Sequence, residues 1–128
     1  MTIEQKRLND FKRNYLDPYY KLDWNKINLS KSDGLAHNKM VCDVCVYLLT
    51  NNIQFLTQPR FVSGYRPDIL VPHGLPYKII EVRNTETEKK SKEKMCRTPE
   101  ELQNEILYVD VPLFLEQDFI AYAEELLL

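Results

Sequence analysis

The sequence predicts a mixed α/β (α+β) fold in which a central mixed sheet is flanked by helices. Three observations predict it. Residues 34–51 repeat apolar side chains at helical spacing, residues 67–71 and 77–83 are apolar runs on either side of a turn, and residues 106–111 form a further run. After an N-terminal helix, the predicted order is helix, three strands, helix, strand, helix. A chain of 128 residues normally forms one domain.

The predicted domain has a core over residues 34–111, an N-terminal extension over residues 1–33 and a C-terminal helix over residues 112–128. The extension begins with a helix over residues 3–14, which has a thin apolar stripe. An aromatic-rich, irregular segment follows at residues 15–24. Three roles remain open for it: capping the core, forming a dimer contact, or stacking on bases.

The core helix over residues 34–51 is expected to be capped by Ser32 or Asp33. One of its faces carries four residues at helical spacing: His37, Val41, Val44 and Leu48. Residues 53–57 and 60–62 read as extended segments before the hairpin.

Two capping signals follow the hairpin. Thr85 with Glu88 predicts a helix over residues 86–97, and Pro99 is expected at the first position of a short second helix. The run over residues 106–111 is expected to be a buried strand that Pro112 ends. Residues 115–128 have the pattern of an amphipathic helix.

The cysteines predict free thiols in a reducing compartment, because three cysteines do not make a disulfide framework. Cys42 and Cys45 have the C-x-x-C spacing, and His37 with Cys96 could complete a zinc site. Buried thiols on a packed helix are the favoured alternative.

Charge is unevenly distributed along the chain. All 17 Lys and Arg residues lie in residues 1–97 with 11 of the 19 acids, whereas residues 98–128 hold the other eight acids. Such polarity lets one surface attract phosphates while another stays acidic.

The hairpin carries an acid at each end. If the chain turns at residues 74–75, Leu70 lies opposite Ile79 and Asp68 lies opposite Glu81. Directly opposed side chains have Cβ atoms about 5 Å apart. Two carboxylates at that distance repel each other unless one is protonated or a cation lies between them. Single acids at strand ends are often merely solvated, but this opposed pair predicts a divalent-metal site.

Arg66-Pro67-Asp68 at the start of one strand and Ile80-Glu81-Val82-Arg83 on the next resemble the PD-(D/E)XK nuclease superfamily. The resemblance covers about residues 35–111. It implies a restriction-endonuclease-like αβββαβ core and an enzyme that cuts DNA or RNA with Mg²⁺.

The resemblance also implies site residues. Asp68 and Glu81 match the two metal-binding acids, and the carbonyl of Val82 would supply a third oxygen. Such a donor set suits Mg²⁺ or Mn²⁺. The ion would polarise the scissile phosphate and lower the pKa of the attacking water.

Arg83 stands where the family has its lysine, on the same sheet face as Glu81. Arginine stays protonated, so it can act only as an electrostatic clamp. Three alternatives remain: Arg83 stabilises the charge of the transition state, Lys89 or Lys90 supplies the ammonium group, or catalysis has been lost.

His37 stands where many members of the family place a glutamate. It either caps or lines the core, or it is an imidazole close to the metal or the phosphate. A phosphate-binding footprint is predicted beside the site: Arg66, Lys89, Lys90, Lys94 and Arg97.

The leading functional prediction is a divalent-metal-dependent nuclease that acts on DNA. The alternative is an inactive nucleic-acid-binding or regulatory module on the same fold, and a third hypothesis is a protein–protein adaptor. A homodimer is expected because cutting both strands takes two sites. No apolar run reaches the ~20 residues needed to span a bilayer, and residues 1–7 lack a secretory signal, so a cytoplasmic location is expected.

Overall fold

A four-stranded mixed sheet organises the fold of this α+β protein. The computed structural model describes residues 2–19, 21, 23–72, 75, 77–83 and 97–110. The helices and strands are α1 (Ile3–Tyr15), α2 (Leu35–Thr50), β1 (Leu56–Thr57), β2 (Ile69–Leu70), β3 (Ile79–Arg83) and β4 (Ile106–Asp110), with 3₁₀ helices at Lys31–Asp33 and Glu100–Glu105. The strand order is β1-β2-β3-β4, with the first two pairs antiparallel and β3 parallel to β4.

Most of the predicted helices and strands are confirmed where the structure describes them, with shifts at their ends, but the extended segment predicted at residues 60–62 is not. α2 matches the helix expected over residues 34–51, and α1 extends the N-terminal helix by one residue. The short helix after Pro99 is a 3₁₀ helix that begins one residue later than expected. The helix predicted over residues 86–97, apart from Arg97, and the helix over residues 115–128 lie outside the described residues.

The predicted cap of α2 is wrong. Gly34, not Ser32 or Asp33, is the N-cap, and no side chain caps the helix. Ser32 instead pairs its hydroxyl with that of Ser30 at 2.8 Å, within the turn before the helix. Gly34 has φ +85°, a conformation that side-chain-bearing residues rarely adopt, so it makes the chain reversal into α2 possible.

The extended segment predicted at residues 53–57 narrows to the two residues of β1. Gln58 follows it with φ +48° and then Pro59, a conformation and a residue that both interrupt a strand. The segment at residues 60–62 forms no strand, only an isolated bridge between Phe61 and Leu16.

The two faces of the sheet pack into separate apolar clusters. One face lies against α2 and is aliphatic, with Ile69, Ile80 and Val82 beneath Val44 and Leu48. The other face lies against α1 and is richer in aromatic rings: Phe11, Phe61 and Tyr65, with Tyr15, Trp24 and Tyr108 at its margin. Core capping is therefore confirmed for Tyr15 and Trp24, whereas Tyr19 is exposed.

α2 buries Cys45 completely and Cys42 in part, and neither forms a disulfide. Burial, with a smaller contribution from Cys42, raises the pKa of the Cys45 thiol to about 12. Zinc binds the thiolate, so this environment disfavours the predicted zinc alternative at Cys45 and supports that of a buried thiol. Cys96 lies outside the described residues.

Within the described ranges, no helix combines the length and the apolar character needed to cross a bilayer.

Candidate functional site

The β2–β3 hairpin has the register that the sequence predicts. Leu70 pairs with Ile79 and Ile69 pairs with Ile80. The same register, continued by one residue, brings Asp68 opposite Glu81.

The hydrogen bonds of the hairpin show which kind of pair these acids form. Val71 donates its N–H to the carbonyl of Lys78 at 2.7 Å, so residues 71 and 78 are a hydrogen-bonded pair. Pairs alternate along an antiparallel ladder, which makes positions 68 and 81 a non-hydrogen-bonded pair. Side chains lie closest to each other at such positions, so the backbone itself forces the two carboxylates together.

Both acids are buried: Asp68 is 8 % exposed and Glu81 is 2 % exposed. Each carboxylate accepts a hydrogen bond from the backbone of the other strand. Asp68 donates its N–H to Glu81 Oε1 at 2.7 Å, and Val82 donates its N–H to Asp68 Oδ2 at 2.8 Å. Charge-assisted bonds of this length hold both carboxylates in place at the end of the hairpin.

The carbonyl of Val82 shares this position. In an antiparallel strand the N–H and C=O of one residue point to the same neighbouring strand, and the Val82 N–H points to Asp68. The register sets Pro67 opposite Val82, and proline has no N–H to donate to that carbonyl. The Val82 carbonyl therefore points toward the strand that carries Asp68, and its role as a third oxygen ligand stays a prediction.

His37 reaches this pair from the first turn of α2. Its Nε2 lies 3.3 Å from Asp68 Oδ2, and the two side chains are 12 % and 10 % exposed. The helix N-terminus, which carries a partial positive charge, stabilises a nearby carboxylate. The structure thus brings together three of the predicted site residues: His37, Asp68 and Glu81.

Arg83 lies on the same sheet face as Glu81, at the carboxyl end of β3. Its guanidinium carbon is 4.3 Å from the ring centroid of Tyr108, which pairs with Glu81 in the register of β3 and β4. An arginine held over an aromatic ring keeps its charge in a fixed place. A positive charge is therefore placed on the acids' side of the sheet.

Tyr65 and Thr98 are two further buried residues with polar side chains that the sequence does not predict. Both are buried, and the Tyr65 ring packs edge-on against Phe61 at 5.3 Å between centroids. Burial, then the negative charge of Glu81, raises the pKa of the Tyr65 hydroxyl, with a smaller contribution from Asp68. A side-chain hydrogen bond with Thr98 opposes part of this rise in the pKa of Tyr65. No sequence pattern predicts the buried position of Tyr65, because it lies in the irregular segment before β2.

The predicted phosphate footprint is described only in part. Arg66 and Arg97 are exposed. Ser63 donates its hydroxyl to the carbonyl of Arg97 at 2.8 Å, which places Arg97 beside the turn that precedes Arg66. Three further predicted residues lie outside the described part of the chain: Lys89, Lys90 and Lys94.

The donor set fits some metals better than others. In the described part of the chain, no group of three or more His, Cys, Asp and Glu side chains is arranged to hold a metal ion. Two carboxylates and one carbonyl do not make a closed zinc site. Mg²⁺ is commonly bound by one or two carboxylates together with water and substrate phosphates, so a Mg²⁺ or Mn²⁺ ion at the acid pair stays a prediction from the type of donor.

Comparisons with models of protein families, with curated proteins and with solved structures found no match to this chain.

Proposed function

We propose that this protein is a divalent-metal-dependent nuclease that hydrolyses phosphodiester bonds in DNA. The observation that carries the proposal is the burial of Asp68 and Glu81 at opposed positions of the two hairpin strands. Burying two like charges side by side is unfavourable, and a cation between them removes the penalty. The strand order, with β3 and β4 parallel, agrees with the restriction-endonuclease-like core that the sequence resemblance implies.

In this proposal, Asp68, Glu81 and the carbonyl of Val82 hold the ion. When bound, Mg²⁺ or Mn²⁺ would supply Lewis acidity toward the phosphate and a more acidic water. Arg83 adds a fixed positive charge on the acids' side of the sheet and stabilises the negative charge that develops on the phosphate. His37 holds Asp68 Oδ2 from the side of α2.

A second candidate is a nucleic-acid-binding or regulatory module without catalysis. The observation that favours it is that each acid already accepts a backbone N–H, which gives both carboxylates a structural role. Arg83 likewise contacts Tyr108, and arginine cannot take a proton from water at neutral pH. This candidate predicts salt-sensitive binding of nucleic acid that divalent ions do not change.

A cleavage assay tests the proposal. Supercoiled and branched DNA are incubated with Mn²⁺ and with wild type, Asp68→Asn or Glu81→Gln. Both substitutions keep an oxygen that can accept the backbone N–H bonds but remove the charge. We expect each to lower the cleavage rate by about 100-fold or more, the scale seen when a group that stabilises transition-state charge is lost.

Asp10→Asn is the matched control, because Asp10 is an exposed acid on α1 whose partner is Arg13 at 3.3 Å. It should cleave like wild type. Cleavage that persists in both site variants, or no cleavage by wild type on any of these substrates, would overturn the proposal. Calorimetric Mn²⁺ binding that disappears in Glu81→Gln would argue against the second candidate.

A further inference from the structure

The face of α2 that points away from the sheet carries exposed apolar side chains. The sheet-facing side of the helix buries Val44 and Leu48 completely. On the opposite side, Leu35, Val46 and Leu49 are 87 %, 54 % and 42 % exposed. Single exposed apolar residues are ordinary on a protein surface, whereas several aligned along one helix mark an interaction surface.

The spacing of this face is that of a contact between two helices. Its residues follow one another in alternating steps of four and three positions. Such steps keep side chains on the line along which two paired helices touch. We call this face the outer stripe of α2, and its members are Leu35, Lys39, Cys42, Val46 and Leu49. The packing of α2 on the sheet does not use the outer stripe, so its spacing indicates a second helix as partner.

The outer stripe is self-complementary when two copies of α2 meet in opposite directions. Cys42 is its midpoint, because Leu35 and Leu49 each lie seven residues away. In an antiparallel pair centred on Cys42, Leu35 of each copy faces Leu49 of the other. A two-fold axis makes every contact of this kind twice, as an isologous dimer interface requires.

The charges of α2 select the antiparallel arrangement. Lys39 is exposed, and Asp43 lies four residues later on the same side of the stripe, partly exposed. In the antiparallel pair, Lys39 of one copy and Asp43 of the other are offset by two residues, about 3 Å along the helix, which a lysine side chain spans. A parallel pair would instead set the two copies of Lys39 side by side, which is unfavourable. This charge complementarity favours a second copy of the chain as the occupant.

We propose that this protein forms a two-fold symmetric dimer in which the outer stripes of two α2 helices pack antiparallel. The inference goes beyond the proposed function, because it involves neither metal nor nucleic acid. His37 contacts Asp68 from the inner side of α2, so the interface leaves this contact intact. The dimer then carries two acid pairs, the number that cutting both strands of DNA takes.

Sedimentation of the full chain over a range of concentrations tests the dimer. Val46→Lys should raise the dissociation constant of the dimer at least about 100-fold, because the two-fold axis buries the added charge twice. Its circular dichroism should match that of wild type, since Val46 is exposed in the single chain. Val62→Lys is the matched control: Val62 is 66 % exposed and lies outside α2, so its dimer should be as tight as that of wild type.

Charge reversal tests the direction of the helices. Lys39→Glu and Asp43→Lys should each weaken the dimer about 10-fold, because both contacts become repulsive. The double variant should return to within about threefold of wild type, because the pairs are restored with their signs exchanged. The inference is overturned if wild type is a monomer at about 100 μM, as it would be with the stripe covered by its own residues 115–128. A Val46→Lys dimer as tight as wild type, or no recovery in the double variant, would also overturn it, and the proposed function would stand in each case.

Discussion

Ile80 and Glu81 are consecutive residues of β3 that are buried to the same depth on opposite faces of the sheet. Ile80 is 0 % exposed in the aliphatic cluster beneath α2, and Glu81 is 2 % exposed on the other face. Burial of an isoleucine is favourable by itself, by about 1.5–3 kcal/mol. Burial of a carboxylate is unfavourable unless hydrogen bonds or a counter-charge compensate. The same degree of burial therefore has opposite effects. Burial of Ile80 stabilises the fold, whereas burial of the Glu81 carboxylate is unfavourable to the fold unless it is compensated, which suggests a functional role.

The largest effects are expected when Ile80 and Glu81 are substituted and the free energy of unfolding is measured with denaturant in the absence of metal. Ile80→Ala should lower the free energy of unfolding by about 2–5 kcal/mol, because it opens a cavity beneath α2. Glu81→Gln should instead raise it by about 1 kcal/mol, because repulsion with Asp68 ends while an oxygen still accepts the Asp68 N–H. A loss of stability in Glu81→Gln as large as that in Ile80→Ala would make the carboxylate a structural residue.

A smaller effect is expected at Arg83, and it separates the alternatives for the missing lysine. Arg83→Met should lower the free energy of unfolding by about 0.5–1 kcal/mol through the lost contact with Tyr108. If Arg83 is the electrostatic clamp, Arg83→Met should also cleave DNA much more slowly than Arg83→Lys, which keeps the charge. Equal cleavage by the two variants would transfer this role to another cation, such as Lys89 or Lys90.

The smallest expected effect is on the chemical reactivity of the thiols of α2, which packs on the aliphatic face of the sheet. With a pKa of about 12, the Cys45 thiol is almost fully protonated at pH 8, with a thiolate fraction of about 1 in 10,000. Iodoacetamide should therefore modify Cys45 only after unfolding, as mass spectrometry would show, and the half-buried Cys42 serves as the comparison within α2. Modification of both thiols at equal rates in the folded protein would contradict the packing of α2.

The raised pKa of Cys45 also sets the direction in which the stability of the fold changes with pH. The unfolded thiol ionises near pH 9, while the folded one keeps its proton to about pH 12. The unfolded state therefore binds fewer protons above pH 9, and the contribution of Cys45 to stability is lost as the pH rises through this range.

Much of the architecture can be predicted from local patterns. The register of the hairpin follows from the positions of two apolar runs about a turn, and the structure has Leu70 opposite Ile79 as predicted. The bounds of α2 follow from helical periodicity to within one residue. Its cap was not predictable in this way, because Ser32 bonds Ser30 and Gly34 takes the turn conformation.

The candidate site was predictable only where it depends on strand alternation. Asp68, Glu81 and Arg83 share one sheet face because alternate residues of a strand do. The approach of His37 to Asp68 depends on where α2 crosses the sheet, which the resemblance suggested and periodicity alone could not show. Tyr65 depends on an irregular chain path with Gly64 at φ +86°, and no repeat in the sequence encodes such a path.

The mutual hydrogen bonds of Asp68 and Glu81 also protect the hairpin against misalignment. Sliding β3 by one position past its neighbours would exchange its two faces and press Glu81 against Val44 and Leu48, an environment without charge or polar donors at those positions. Such a slipped form would be costly, so the same two acids that are unfavourable in the correct hairpin penalise the incorrect one more.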